Sequence, residues 1–332
     1  MLFRSGDDGF VLRDDVTWPT ADRHDCAIGR VDRGPLPDVV CVTGAGKGLG
    51  LKLDELYLDP GTGPVTTTAA VHGTADPIGR GRSVALFDAD ADGDTDLYLG
   101  NLGLRYDGLP SPGRLFRNDG DGALTFDPRS GLTGDRGAWC ALPRDIDGDG
   151  DLDLVVCATT GEIVQTSRVL IYRDNGGVFR DVTRALGVRP IGEVDAEVAQ
   201  LGGSPEPELV QLATDRIRVS RWEGDRYVVA WERRIEGGRA VTAGDANGDG
   251  ALDLYLQRGD GLRNLDDLLL VNDGTGRRWT PVAIPDTHRG RADDVVSLDA
   301  DANGRADFLV LNGLNGRGPL QLLMSYAPDE AP

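Results

Sequence analysis

The chain has 332 residues, 39% hydrophobic and 27% charged, which is enough apolar content for a buried core and unlike the composition of a disordered chain. Its 55 acids against 35 bases give a net charge of −20, which repels a phosphate backbone and excludes nucleic acid as a partner. The most apolar stretches, such as Leu268 to Val271, are strand-sized, so no membrane span is expected.

The N-terminal MLFRSGDDGFVLRDDV reads as the hairpin half of a repeat whose loop half is missing, and it lacks the apolar stretch of a secretory signal. The expectation is a protein that is not exported, or a mature or truncated form. A worn loop follows at Arg30, RVDRGPLPDVVCV, which keeps only Asp32 and Asp38 of its acids, and then a loose hairpin, LYLDPGTGPVTT, at Leu56. The first full copy is DADADGDTDLYLG from Asp88, with its hairpin LFRNDGDGALTF at Leu115. The second is DIDGDGDLDLVVC from Asp145, with LIYRDNGGVFRDV at Leu170.

Asp88 and Asp145 are 57 residues apart and Asp245 and Asp299 are 54 apart, whereas 100 residues separate Asp145 from Asp245. That gap predicts a decayed copy, which is QLGGSPEPELVQL from Gln200; it retains a terminal acid, Glu208, and is followed by IRVSRWEGDRYVV at Ile217. DANGDGALDLYLQ from Asp245 and LLLVNDGTGRRW at Leu268 come next, then DADANGRADFLVL from Asp299 and a last strand within PLQLLMS. Each repeat supplies a strand, a loop, a strand and a hairpin with a tight Asn, Asp or Gly turn. Four antiparallel strands at this period are the blades of an all-β propeller. Six blades are the economical count, with a partial seventh allowed by Leu2 to Arg4, and an N-terminal strand is expected to close the last blade. The domain expected is one β-propeller over residues 1–328 with a polar tail at 329–332.

The four best loops share D-x-[DN]-x-[DN]-G-x-x-D. Acids at alternate positions turn several carboxylates toward one point, and a glycine at the sixth position permits the sharp turn that a calcium loop needs. The side-chain ligands expected are Asp88, Asp90, Asp92 and Asp96; Asp145, Asp147, Asp149 and Asp153; Asp245, Asn247, Asp249 and Asp253; and Asp299, Asp301, Asn303 and Asp307. The seventh-position residues, Asp94, Asp151, Ala251 and Arg305, are expected to offer backbone carbonyls. About four Ca2+ ions follow, one per loop. An EF-hand would place a bidentate Glu at the twelfth position, where this chain has Leu99, Val156, Leu256 and Val310. Magnesium fits such a loop less well because it retains its water, and zinc less still because no Cys or His is offered.

Through these motifs the repeat resembles the FG-GAP/VCBS type found in the propeller of integrin α-chains and in many bacterial secreted proteins. WCALPRDIDGDGDLDLVV at Trp139 and LFRNDGDGALTF at Leu115 are similar to the branch that contains cartilage acidic protein and its bacterial relatives. The resemblance spans nearly the whole chain. It implies a calcium-stabilised propeller, extracellular or at the cell surface, that works by adhesion or ligand binding, with a cytoplasmic location as the alternative. The C-terminal domain that many members of that branch carry is not part of this sequence.

Cys26 and Cys41 flank the worn first loop at nearly the same offsets as Cys140 and Cys157 flank the loop at Asp145, so each pair can face across one hairpin. Two disulfides and four buried thiols both fit that placement. His24, His72 and His288 belong to no recognisable catalytic or metal motif, and G-x-S-x-G, P-loop and H-E-x-x-H patterns do not occur. Trp139, on a predicted inner strand, reads as core, with carbohydrate stacking as the sharper alternative. The function expected is a non-enzymatic, monomeric calcium-binding scaffold that recognises a protein or glycan on a propeller face. The segments Asn101 to Gly113 and Gly73 to Gly81 are the candidate recognition loops. The alternative is a polysaccharide lyase-like enzyme or an accessory protein in a biosynthetic pathway.

Overall fold

In each repeat the strand after the acidic loop reads as an unbroken apolar run, DLYLGN or DLYLQR, and the reason is that both of its faces are covered. Leu97 and Leu99 point into one cluster with Val40, Val42, Leu56, Val84 and Phe116, whereas Tyr98 points into another with Phe87, Leu154, Val156 and Phe179. Leu254 and Leu256 join Val210, Leu212, Val219 and Trp279, and Tyr255 stacks on Phe308 on the opposite side at 4.7 Å between ring centroids. Sheets that bury both faces against like sheets form the blades of a propeller.

The computed structural model describes residues 3–6, 9–12, 16–19, 21–44, 53–61, 63–77, 79–105, 108–132, 137–159, 168–259, 265–284, 292–312 and 320–326. It is all-β, and the fold is a six-bladed β-propeller. The chain divides into two compact units, Met1–Phe3 with Leu12–Arg184, and Arg4–Val11 with Ala185–Pro332.

The first unit holds three blades. Blade 1 comprises Arg23–Gly29, Asp38–Thr43 and Glu55–Tyr57. Blade 2 comprises Gly81–Phe87, Asp96–Asn101, Arg114–Arg117 and Thr125–Phe126. Blade 3 comprises Gly137–Arg144, Asp153–Thr159, Arg168–Arg173 and Arg180–Asp181. The second unit holds the other three. Blade 4 comprises Glu193–Ala199, Glu208–Ala213, Arg216–Glu223 and Arg226–Arg234. Blade 5 comprises Gly238–Gly244, Asp253–Arg258, Asp267–Asn272 and Trp279–Ile284. Blade 6 comprises Ala292–Leu298, Asp307–Asn312 and Leu320–Leu323. Strand order within every blade is sequential and antiparallel.

Two expectations change in detail. Only the first half of the loose hairpin at Leu56 pairs within its blade: Glu55–Tyr57 is the third strand, whereas Gly63–Pro64 runs parallel to Val16–Thr17. Pro64 has no N–H to give to a ladder, so this segment suits a two-residue bridge better than a fourth strand. The N-terminal pair, Phe3–Gly6 and Gly9–Leu12, forms its own two-stranded sheet, and residues Arg4–Val11 group with the unit that contains blade 6. The expected polar tail at 329–332, along with His288, lies outside the described residues.

The first strand of every blade carries a register shift near its start, between Arg23 and Asp25 in blade 1 and between Glu193 and Asp195 in blade 4. In these two blades the bulge turns an aspartate toward the next blade. Asp25 Oδ2 accepts the Val84 N–H at 3.0 Å, and Asp195 Oδ2 accepts the Val241 N–H at 2.9 Å. Both cysteine pairs are disulfides, Cys26–Cys41 and Cys140–Cys157, each joining the first two strands of its blade. Trp139 sits in the blade 3 bulge, 37% exposed, with the Arg82 guanidinium 5.4 Å from its ring centroid, so it is not the core residue expected.

Candidate metal centre

Each acidic loop links the first and second strands of its blade and is shaped by its own carboxylates. The first-position aspartate accepts loop N–H groups with both oxygens. Asp88 takes those of Asp92 and Gly93, Asp145 those of Gly148 and Gly150, and Asp299 those of Asn303 and Gly304. Asp245 accepts from Gly248, Asp249 and Gly250. The fifth-position side chain caps the seventh-position N–H: Asp92 that of Asp94, Asp149 that of Asp151, Asp249 that of Ala251, and Asn303 that of Arg305.

The chain turns left-handed at the fourth and sixth positions. Glycine serves at the sixth throughout, but the fourth is Gly148 or Gly248 in two loops and Ala91 or Ala302, each at φ 59°, in the others. An alanine methyl group is strained in that region. Ala91→Gly and Ala302→Gly are each expected to stabilise the fold by up to about 1 kcal/mol, a rise of a few degrees or less in melting temperature, because relief of strain exceeds the added chain entropy.

The ninth-position acid works differently. Asp96, Asp153, Asp253 and Asp307 are fully buried, and each binds two separate backbone segments. One oxygen accepts from the second loop position, Ala89, Ile146, Ala246 or Ala300. The other accepts from a residue at or just past the end of the third strand, Asn118, Asp174, Asn272 or Ser325. Blade 1 keeps this staple, since Asp38 accepts from Val31 and Asp59. Blade 4 keeps half of it: Glu208 accepts the Leu201 N–H, but its other oxygen takes the Ser204 hydroxyl of the same loop. Burial drives the Asp153 carboxyl up to about 7, with the Asp147 and Asp149 charges adding to the rise and the N–H groups of Asp174 and Ile146 opposing it. Asp96 and Asp253 are raised for the same reason.

At the third position, Asp90 Oδ1 and Asp147 Oδ1 are buried and have no hydrogen-bond partner. An orphaned buried carboxylate oxygen is costly unless an ion or water meets it. Burial, together with neighbouring loop aspartates, raises both carboxyls. Carboxylate oxygens of Asp88, Asp90 and Asp96 lie within 4.8 Å of one another, as do those of Asp145, Asp147 and Asp149, and those of Asp299, Asp301 and Asp307. Blade 5 forms no such triad among the described residues, since its third position is Asn247, whose Nδ2 donates to Asp249 Oδ2 at 2.9 Å.

A fourth triad unites Asp32, Asp38 and Asp59 in blade 1. Asp59 ends the third strand there, at the register of Asn118 in blade 2, a signal that only alignment of the repeats reveals. Two arginines were also not anticipated. Arg117 Nη1 lies 3.0 Å from Asp96 Oδ2 and 3.5 Å from Asp90 Oδ2, and Arg173 Nη2 lies 2.6 Å from Asp147 Oδ2.

A family model described as FG-GAP-like repeat matches residues 104–156, which contain the blade 2 hairpin and the whole of the blade 3 loop. Comparison with curated proteins finds no match. Among solved structures, the chain is similar to an exotype rhamnogalacturonan lyase, YesX, at 14% identity and a TM-score of 0.50, covering 92% of this chain and 56% of that one. It is also similar to the V. cholerae biofilm matrix protein Bap1, at 11% identity and a TM-score of 0.48, covering 93% of this chain and 70% of that one. The chain thus spans little more than half the length of the lyase, and at these identities the likeness is one of fold.

Proposed function

We propose that this β-propeller with an FG-GAP-like repeat is a calcium-stiffened, non-enzymatic scaffold that presents loops to a protein or glycan partner. The observation that carries the metal is the pair of orphaned oxygens on Asp90 and Asp147, each beside further carboxylates in a loop whose backbone is already set. The donors are all oxygen, which suits a hard cation, and calcium tolerates the mixture of side chains, carbonyls and water that a nine-residue loop supplies. Asp88, Asp90, Asp92 and Asp96 would hold the ion in blade 2, and Asp145, Asp147, Asp149 and Asp153 in blade 3. Asp245, Asn247, Asp249 and Asp253 would do so in blade 5, and Asp299, Asp301, Asn303 and Asp307 in blade 6. The carbonyls of Asp94, Asp151, Ala251 and Arg305 would complete the shells. The ion would supply charge neutralisation and rigidity, with no part in a reaction.

Two disulfides suit an extracellular setting, where thiols stay oxidised. The segment from Asn101 to Gly113 supports a recognition role: it folds into a small hairpin, Gly103–Leu104 with Pro110–Ser111, and exposes Leu109.

Calcium at 100 times its dissociation constant contributes about 2.7 kcal/mol per occupied site. With four sites filled, melting in calcium should therefore exceed melting in chelator by about 15 °C, with magnesium giving less. Equal melting temperatures in calcium and chelator would discard the reading. The alternative, a polysaccharide lyase, draws on the fold likeness to YesX. Release of unsaturated uronate from rhamnogalacturonan, abolished by a single substitution outside the acidic loops, would replace the scaffold with an enzyme.

A further inference from the structure

The arginines of blades 2 and 3 occupy one defined register. In every blade that keeps a full acidic loop, a residue at or just past the end of the third strand donates its N–H to the ninth-position aspartate, and the residue before it holds one fixed register. That preceding residue is Arg117 in blade 2 and Arg173 in blade 3, but Val271 in blade 5 and Met324 in blade 6. The two blades with arginine have aspartate at all five odd loop positions: Asp88, Asp90, Asp92, Asp94 and Asp96, and Asp145, Asp147, Asp149, Asp151 and Asp153. The two without it have three, their other odd positions being Asn247 and Ala251, and Asn303 and Arg305.

The contacts divide the third-position carboxylates in the same way in both blades. Asp90 and Asp147 each give Oδ2 to the guanidinium and keep Oδ1 buried without a partner. Arg117 is fixed further by Asp127 Oδ2 at 3.4 Å and by the Gly177 carbonyl of the neighbouring blade 3 turn. A guanidinium held in this manner is a permanent counter-cation beside the site.

We propose that Arg117 and Arg173 are built-in counter-ions which keep the five-carboxylate loops of blades 2 and 3 folded without metal and lower their calcium affinity. The inference rests on calcium binding at these loops. Two effects oppose each other. By fixing Oδ2 the arginine orients Oδ1, which favours the metal, but an aspartate has few torsions to fix. A positive charge beside a dication acts over several ångströms in partly buried surroundings and is the larger effect. Ligand charge count is also what sets affinity among calcium loops. Blades 2 and 3 are then sites that fill and empty with calcium while their shape is retained.

The test is calorimetric calcium titration, with melting in chelator, of Arg117→Met, Arg173→Met and Arg117→Lys, and of the reverse change Met324→Arg. Each Arg→Met is expected to tighten calcium binding at one site by about tenfold, and to lower the melting temperature in chelator more than in calcium. Arg117→Lys retains the charge and should stay near the parent, and Met324→Arg should weaken one site. Unchanged or weaker calcium affinity in both Arg→Met variants overturns the proposal and leaves the calcium reading standing. If the parent itself binds no calcium, the calcium reading fails and the affinity claim falls with it. The counter-ion role then stands or falls on the melting temperature in chelator, which must drop in Arg→Met and stay near the parent in Arg117→Lys.

Discussion

Asp253→Ala is expected to destabilise the protein by about 3–5 kcal/mol in chelator, and by more in calcium, where a ligand is lost as well. The Asp253 carboxylate is fully buried and accepts the Ala246 N–H at 3.2 Å and the Asn272 N–H at 2.8 Å, so its loss orphans two backbone donors. Each donor left unsatisfied in the interior costs about 1–3 kcal/mol, and the small cavity adds to this. Asp249→Ala offers the contrast. Asp249 is exposed, and its partners, the Ala251 N–H and the Asn247 amide, lie in the same loop, so its removal should matter little in chelator and erode the gain from calcium. Glu208→Ala in blade 4 extends the comparison to a worn loop: it orphans one backbone donor, the Leu201 N–H, so it should cost about 1–3 kcal/mol, less than Asp253→Ala, and be indifferent to calcium. Urea unfolding of the three variants with and without chelator distinguishes staple from ligand. Equal losses for Asp253→Ala and Asp249→Ala in chelator would refute the distinction.

The second large effect is on pH dependence. Burial pushes the Asp195 carboxyl up to about 8; the Asp294 charge adds to the rise, while N–H donation from Val241 and Ala196 works against it. An unfolded chain releases that proton near pH 4, so from about pH 4 to 8 the folded state holds a proton that the unfolded state has lost. The sign follows: stability contributed by this group falls as pH rises through that window and levels off above 8. Because Asp195 is only partly shielded from solvent, the full shift is discounted, and about 2–3 kcal/mol between pH 5 and 8 is expected. Asp195→Asn removes the titration and should flatten the pH profile of the melting temperature, whatever its level. Asp294→Asn, by removing the neighbouring charge, should make the decline shallower. Parallel profiles in parent and both variants would show that Asp195 is ionised across this range.

Some of the candidate centre was plain from spacing. Alternate aspartates, a sixth-position glycine and an apolar run after the ninth residue define the loop locally, since every group involved lies within nine residues. The loop hydrogen bonds of Asp88, Asp145, Asp245 and Asp299 follow from that spacing. The division of labour did not, because it involves partners from elsewhere. Asp96 is a staple because Asn118, 22 residues away, meets its second oxygen. Asp59 completes the blade 1 triad from a separate strand, and no property of LYLDPGTG by itself announces that. Spacing alone favoured neither disulfides nor free thiols, since the offsets showed that each cysteine pair could face across a hairpin and left the oxidation state open.

Legible in the residues alone are the repeat of strand, loop, strand and hairpin, the β class, and four loops whose donors suit a hard cation. Those features are local, and a periodicity carries them. Only the tertiary structure decided which carboxylates are spoken for. A carboxylate's role depends on what reaches its two oxygens, and at Asp90, Asp147 and Asp96 these include an arginine on the third strand, a backbone N–H from a strand end, and buried space with no partner. Such contacts join residues far apart in the chain, and packing alone brings them together.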